Sequence, residues 1–256
     1  RDVLGSRGLG DVYKRQSQFG TFEAIVIPVL FFPSTILCAL SGILITEAAR
    51  ATAANNQAHL QRLTKAVIQK TLQLSIFIAA GLLLYGNLIG TLLDGGALAG
   101  HLIRLLAPVV PFIYLEIVLE ALLKGMGQQS FSSLNYLAEY TIRIAIVLVC
   151  IPKFGFYGIV LSYYASNVCG NCFRLWKTCK TARIRFSFWS DVGFPLFAAA
   201  LAFQVPLCGL RLLHGMQFVW ICLLPAILID YALLKSYGKI TAIPLLSKKQ
   251  HVCSSA

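Results

Sequence analysis

Charged residues are scarce in this chain of 256 residues. Only 12% are Asp, Glu, Lys or Arg, while 57% are hydrophobic, and an ordinary soluble domain carries about twice that share of charge. Long uncharged runs recur at about the 20 residues that an α-helix needs to cross the hydrocarbon core of a bilayer. The strands of a membrane barrel alternate over about 10 residues and do not fit these runs. The composition therefore predicts an all-α integral membrane protein, a polytopic helical bundle.

The sequence also lacks the residue groupings that enzymes use. No glycine-rich phosphate loop follows a strand pattern, and no nucleophile is grouped with a histidine. The close pair Cys169 and Cys172 has no second Cys or His pair at metal-binding distance. Most of the eight cysteines lie in or beside apolar runs, where they behave as small apolar residues. We expect no enzymatic activity, no metal centre and no cofactor.

The formal net charge of +12 comes from basic residues that lie between apolar runs. Lys and Arg number 14 on one set of alternate loops and 3 on the other. The positive-inside rule places the basic set in the cytoplasm, so we expect residues 47–70, 124–130 and 174–190 and the C-terminus to be cytoplasmic. Residues 94–101 and 211–215 should face outward. This distribution is typical of membrane orientation and does not indicate a nucleic-acid partner.

The apolar runs predict about seven transmembrane helices, at residues 25–45, 71–93, 102–123, 131–151, 156–173, 192–210 and 216–234. Short connections are expected at residues 94–100 and 152–155, and the polar stretch 51–65 can form a helix along the membrane surface. Residues 1–16 and 251–256 differ in composition from the rest and are interpreted as non-native segments. Residues 17–190 would then hold five helices, and residues 191–250 two more helices with a basic tail.

Acidic side chains inside the third predicted span are candidate site residues. Glu116 and Glu120 are four positions apart, so their carboxylates lie on one face of a helix. A charge at the bilayer centre costs roughly 2.5 to 3.5 kcal/mol on insertion scales, and such residues usually have a partner or a function. The two acids could bind a coupling ion, H⁺ or Na⁺. Alternatively, Glu120 pairs with Lys124 at the end of the helix.

Glu139 and Arg143 in the fourth predicted span are the other candidates. They too are four positions apart, with the acid first, which is the better order for a helical ion pair. They could form a structural pair, or Arg143 could face a cavity and contact an anionic substrate, as guanidinium groups do with phosphate. The spacing leaves both alternatives open.

Several segments resemble a known family. They are Phe19-Gly-Thr-Phe-Glu-Ala-Ile-Val-Ile-Pro28, the Leu-Leu-Lys-Gly-Met-Gly-Gln turn, and Glu139-Tyr-Thr-Ile-Arg143 followed by Ile151-Pro-Lys-Phe-Gly-Phe-Tyr-Gly158. Together with the helix end and loop at residues 45–70, they resemble the stage V sporulation protein B group of polysaccharide exporters. That group belongs to the multidrug/oligosaccharidyl-lipid/polysaccharide (MOP, MATE-like) flippase superfamily, related to MurJ-type lipid II flippases. The resemblance covers residues 19–249.

This resemblance implies the C-terminal half of a fourteen-helix MATE/MOP-like fold, so we expect a missing N-terminal lobe as a partner. It implies alternating access in the plasma membrane, which carries a lipid-linked oligosaccharide or cell-wall precursor between leaflets. The pyrophosphate of such a substrate suits cationic cavity residues. A cation-coupled multidrug antiporter that uses Glu116 is one alternative. A non-transporting membrane scaffold is another, favoured if the buried charges pair off entirely.

Overall fold

The computed structural model of the chain describes residue 13 and residues 16–184, 192–193 and 195–199. The chain divides into two units, Arg1–Ser187 and Phe188–Ala256. In the second unit, residues 195–199 are helical. The predicted span at 216–234 and the basic tail lie outside the described residues, as does most of the predicted span at 192–210.

Residues 16–184 form a helical bundle. α1 covers Gln16–Ala53, α2 Gln57–Leu92, α3 Gly96–Gly125, α4 Gln129–Phe154 and α5 Tyr157–Ala182. The first four are long and apolar enough to cross a membrane. Every regular element in the described part of the chain is helical. The all-α class is thereby confirmed for this part of the chain, and its four long apolar helices indicate a membrane protein.

Three predicted connections are partly wrong, because helices extend into them. α3 begins at Gly96, so residues 96–100 are helical. Residues 152–154 belong to the last turn of α4, and the helix ends at Gly155, whose φ of +58° cannot continue a right-handed helix. α5 runs to Ala182, through much of the predicted basic loop. The positive φ of Gly155 therefore ends α4, whereas Pro152 lies within the helix.

Prolines coincide with changes in local winding in two of the three membrane helices that contain them. A π-turn at Phe22–Val26 precedes Pro28, and a 3₁₀ turn at Phe32–Ser34 contains Pro33. In α3, a 3₁₀ turn at Ala107–Val109 contains Pro108. Proline has no N–H to give to the carbonyl four residues earlier, so the hydrogen-bond ladder shifts locally while each helix continues.

α2 is much longer than its predicted span. Its 36 residues correspond to about 54 Å of helix, against a hydrocarbon core of about 30 Å. The helix begins after Asn56, whose side chain accepts a hydrogen bond from the His59 amide at 3.0 Å. The polar stretch 51–65 is therefore not one separate helix along the membrane surface: it is interrupted at residues 54–56, and from Gln57 onward it belongs to the same helix as the span.

α3 lies at the centre of the bundle and contacts α1, α2 and α5. Its buried side chains include Ile113, Val118 and Leu122, and its Tyr114 hydroxyl donates to the Leu30 carbonyl of α1 at 3.1 Å. α5 in turn packs against α4. α5 thus lies between the central helix and α4, and this position sets the geometry of the site.

α4 buries polar side chains and exposes apolar ones. Its buried residues are Ser132, Asn135 and Glu139, whereas Leu137 and Leu148 are 66% and 70% exposed. In water this arrangement would be unfavourable on both faces. In a bilayer it is stable, because the apolar face meets hydrocarbon and the polar groups find partners inside the protein. α4 therefore supports the membrane location independently of helix length.

Candidate functional site: a buried charge network

α5 carries two small residues, one helical turn apart, where it meets the charged part of α4. Ser166 Oγ accepts a hydrogen bond from Arg143, and the backbone of Gly170 lies against Glu139. Small residues on one face let two membrane helices approach closely. Arg174 follows one turn after Gly170, and its side chain is completely enclosed.

Arg174 joins two acidic residues from different helices. Its Nη1 lies 2.8 Å from Glu139 Oε2 on α4, and its Nη2 lies 3.1 Å from Glu116 Oε1 on α3. Its side chain is 0% exposed. The prediction that Arg174 lies in a cytoplasmic loop is wrong, because α5 continues past the predicted end of its span. Without Arg174, the loops predicted to be cytoplasmic hold 13 Lys and Arg residues and the others hold 3. The positive-inside rule therefore still predicts the same orientation.

Charge attraction dominates the contacts of Arg174. Within the described residues, none of its three guanidinium nitrogens is aligned for a hydrogen bond. Its Cζ lies 4.7 Å from the ring centroid of Tyr136, a distance at which a cation is attracted to the aromatic face. A buried charge costs several kcal/mol in desolvation, and two carboxylates and one ring offset this cost for Arg174.

Gly170 provides the space for the Glu139 carboxylate. A Cβ atom at residue 170 would overlap Glu139 Oε2 and lie 2.9 Å from its Cδ. The backbone carbonyl of Gly170 also accepts a hydrogen bond from Asn135 Nδ2 at 3.3 Å. Glu139 is 2% exposed, so its carboxylate is held between the glycine backbone and the arginines.

Arg143 forms the partly open end of the network. Its Nη2 donates to Glu139 Oε1 at 3.3 Å, and its Nε donates to Ser166 Oγ at 3.0 Å. Its Cζ lies 4.6 Å from the ring centroid of Tyr163 and 5.2 Å from that of Tyr140. The side chain is 21% exposed, and Nη1 has no hydrogen-bond partner among the described residues. Arg143 is thus the less enclosed of the two arginines in the network.

Glu120 forms no ion pair with Arg143 or Arg174, although the Tyr136 side chain interacts with both Glu120 and Glu116. The Glu120 carboxylate pairs with Lys124 at 2.8 Å, and the Lys124 side chain is 42% exposed. This is the helix-end pair that the spacing allowed as an alternative. Glu116 has a different cation, Arg174. The two carboxylates of α3 thus each have their own partner in this structure.

Three of the four predicted site residues, Glu116, Glu139 and Arg143, meet in one network, and Arg174 is the member that was missed. The network holds two carboxylates and two guanidinium groups from α3, α4 and α5. The small residues one and two turns before Arg174 on α5 could have indicated it, because they place it on the packed face. Among the described residues, no group of His, Cys, Asp and Glu could hold a metal ion.

Neither a scan of protein-family models nor searches of curated proteins and of solved structures finds a match to this chain. The functional argument therefore depends on the residues themselves, on the helices that bring them together and on the sequence resemblance described above.

Proposed function

We propose that this chain is one lobe of a plasma-membrane exporter that flips a lipid-linked saccharide between leaflets by alternating access. The observation that carries the proposal is the partial exposure of Arg143, a side chain inside a predicted membrane span whose Nη1 has no hydrogen-bond partner among the described residues. Such a group is retained in a membrane where it pairs or where it contacts substrate. Arg143 pairs with Glu139 through Nη2, and its Nη1 would contact the substrate.

The network allows Arg143 to move without leaving a carboxylate unpaired. Glu139 uses Oε1 for Arg143 and Oε2 for Arg174. If Arg143 turns toward a pyrophosphate, Glu139 keeps its contact with Arg174, and Arg174 keeps Glu116. A charge-assisted contact with phosphate is stronger than a neutral hydrogen bond. The arrangement therefore suits an arginine that binds an anionic headgroup and later releases it.

The proposal requires a second lobe. By the resemblance, the five described helices belong to the C-terminal half of a MATE/MOP-like fold, and the predicted spans at 192–210 and 216–234 are two further helices. Alternating access would move the two lobes around a cavity that Arg143 faces. The exposed apolar face of α4 would contact lipid or the other lobe.

Binding of a polyprenyl pyrophosphate to the purified chain in lipid nanodiscs tests the proposal. We expect Arg143→Gln to weaken binding by about 10- to 100-fold, because a charge-assisted hydrogen bond contributes roughly 1.5–3 kcal/mol. Arg143→Lys should recover only part of the affinity, because an ammonium lacks the planar fork. Lys124→Gln is the control, because Lys124 pairs outside the network. Equal affinity of wild type and Arg143→Gln would contradict the proposal.

A non-transporting scaffold is the second candidate, because each acidic residue of the set has a cationic partner. It predicts no pyrophosphate binding at all. The antiporter alternative depends on Glu116, whose carboxylate is occupied by Arg174. Drug resistance conferred by the complete protein and lost in Glu116→Gln would favour the antiporter, whereas rescue of a cell-wall flippase deletion would favour the exporter.

A further inference from the structure

A groove of about 330 Å³ runs between α1 and α2, with Val118 of α3 in its lining. Its walls are apolar apart from Lys70 and Thr71, and Leu40 and Ile43 on its α1 side are 45% and 64% exposed. The groove is therefore a recess in the surface that residues 16–184 form, and its exposed apolar side chains are suited to contact with hydrocarbon.

Lys70 lies at the polar end of the uncharged run of α2. It is the last charged residue before the uncharged run that ends at Asp94, so it marks one membrane boundary of α2. Side chains on a helix lean toward its N-terminus, which for α2 is the polar end outside the bilayer. The ammonium of Lys70 can therefore reach the interface while Leu74, one turn deeper, lines the groove.

The charge of Lys70 is not neutralised by the protein around it. Lys70 forms no ion pair with any described residue, and its side chain is exposed. Glu47, the acid at that end of α1, is 2.9 Å from His59 and 3.9 Å from Arg50. A single unpaired cation beside an apolar recess, at the polar end of the uncharged run, is complementary to one class of ligand, an acyl chain that carries an anionic headgroup.

We propose that this groove binds one acyl chain of an anionic phospholipid, whose phosphate contacts Lys70. The chain would lie between α1 and α2, along Leu40, Ile43 and Leu74, and the phosphate would accept hydrogen bonds from the ammonium. The site is separate from the charge network, and the inference does not depend on the proposed export function. Lipid composition would then affect the contact between α1 and α2 directly.

Fluorescence quenching by brominated lipids tests this inference on the full chain. Trp176, Trp189 and Trp220 are replaced by Phe, and a single reporter is introduced as Leu40→Trp. The protein is reconstituted in vesicles that contain dibrominated phosphatidylglycerol or dibrominated phosphatidylcholine. We expect about a fivefold preference for phosphatidylglycerol at this reporter, because a basic residue near an anionic surface contributes about 1 kcal/mol. Lys70→Gln should abolish the preference, and Lys70→Arg should keep it.

Leu137→Trp is the matched control, because it lies on the exposed face of α4 and on the same side of the bilayer by chain connectivity. It should show no comparable preference. Ile43→Trp is a second reporter in case Leu40→Trp does not fold. The inference is overturned if groove and control reporters show the same preference, or if Lys70→Gln leaves it unchanged. It is also overturned if neither lipid quenches either groove reporter, because protein would then cover the groove.

Discussion

The carboxylate of Glu139 on α4 lies so close to Gly170 on α5 that a Cβ atom at residue 170 would overlap it. Because the backbone of α5 approaches α4 this closely, Glu139 can reach Arg174 and Arg143 at once. The helix contact and the charge network are therefore one feature, and a change in either should disturb the other.

The first prediction concerns this contact. Gly170→Ala should lower the free energy of unfolding by about 1–3 kcal/mol, the usual cost of overpacking a closed site. Thermal unfolding in detergent measures the effect. Gly42→Ala is the control, because no atom lies within 4 Å of the position of a Cβ atom there. If both substitutions have the same effect, the space at Gly170 is not required by Glu139.

Arg174 should be far more important for stability than its position in a basic sequence segment indicates. Arg174→Gln leaves Glu116 and Glu139 without their shared cation, and breaking a buried ion pair in this way costs about 3–5 kcal/mol. We expect a large loss of folded protein, measured by size-exclusion chromatography after heating. The double variant Arg174→Gln, Glu116→Gln should recover part of it, because Glu139 keeps its pair with Arg143 and no carboxylate is then without a cation.

Glu120→Gln is the control for that series. Its pair with Lys124 is at a helix end, where the lysine is 42% and the glutamate 12% exposed, and a pair that is open to solvent at one end contributes less than the fully enclosed pairs of Arg174. Its unfolding temperature should therefore stay close to that of the wild type. A loss as large as that of Arg174→Gln would show that the network extends to Glu120.

Arg143→Gln should separate stability from ligand binding. Glu139 keeps its 2.8 Å contact with Arg174 when Arg143 is removed, so the variant should fold nearly as well as the wild type. Its expression and unfolding temperature are measured beside its affinity for polyprenyl pyrophosphate. Normal folding with weakened binding supports a substrate role. A loss of folded protein as large as that expected for Arg174→Gln would show that Arg143 is structural.

The predicted orientation can be tested at two turns. In a cysteine-free background, Ala97→Cys at the exposed start of α3 should react with an impermeant thiol reagent in intact cells. Gln129→Cys at the exposed start of α4 should react only after the membrane is opened, and native Cys179 alone should not react in intact cells. Labelling of Gln129→Cys but not Ala97→Cys in intact cells would reverse the orientation.

Local spacing was sufficient to predict part of the site. The pairs Glu139 with Arg143 and Glu120 with Lys124 are each four residues apart, and the structure contains both. The first four spans were predictable for a similar reason, because the length of an uncharged run is read directly from consecutive residues. α5 is different, because its membrane-facing and packed residues are interleaved with Asn167, Asn171 and Arg174.

The contacts of Arg174 could not be read in the same way. They join α5 to α3 and α4 across a distance of many residues in the chain, and no periodic pattern encodes which acid a distant arginine meets. A run of basic residues normally indicates a solvated segment, and here the first member of that run is buried. The small residues that precede Arg174 on α5 override the charge pattern, because they bring another helix over this arginine.

The length of α2 has a mechanical consequence. Its first turns, from Gln57 to Lys70, are a rigid extension of a helix that is anchored in the bilayer. A tilt of about 10° at the membrane boundary would displace the far end by roughly 3 Å, because the extension is about 20 Å long. The turn that connects α1 and α2 lies at the far end of this extension. A small tilt within the membrane would therefore move the turn by a larger distance, which a spectroscopic label on it could measure.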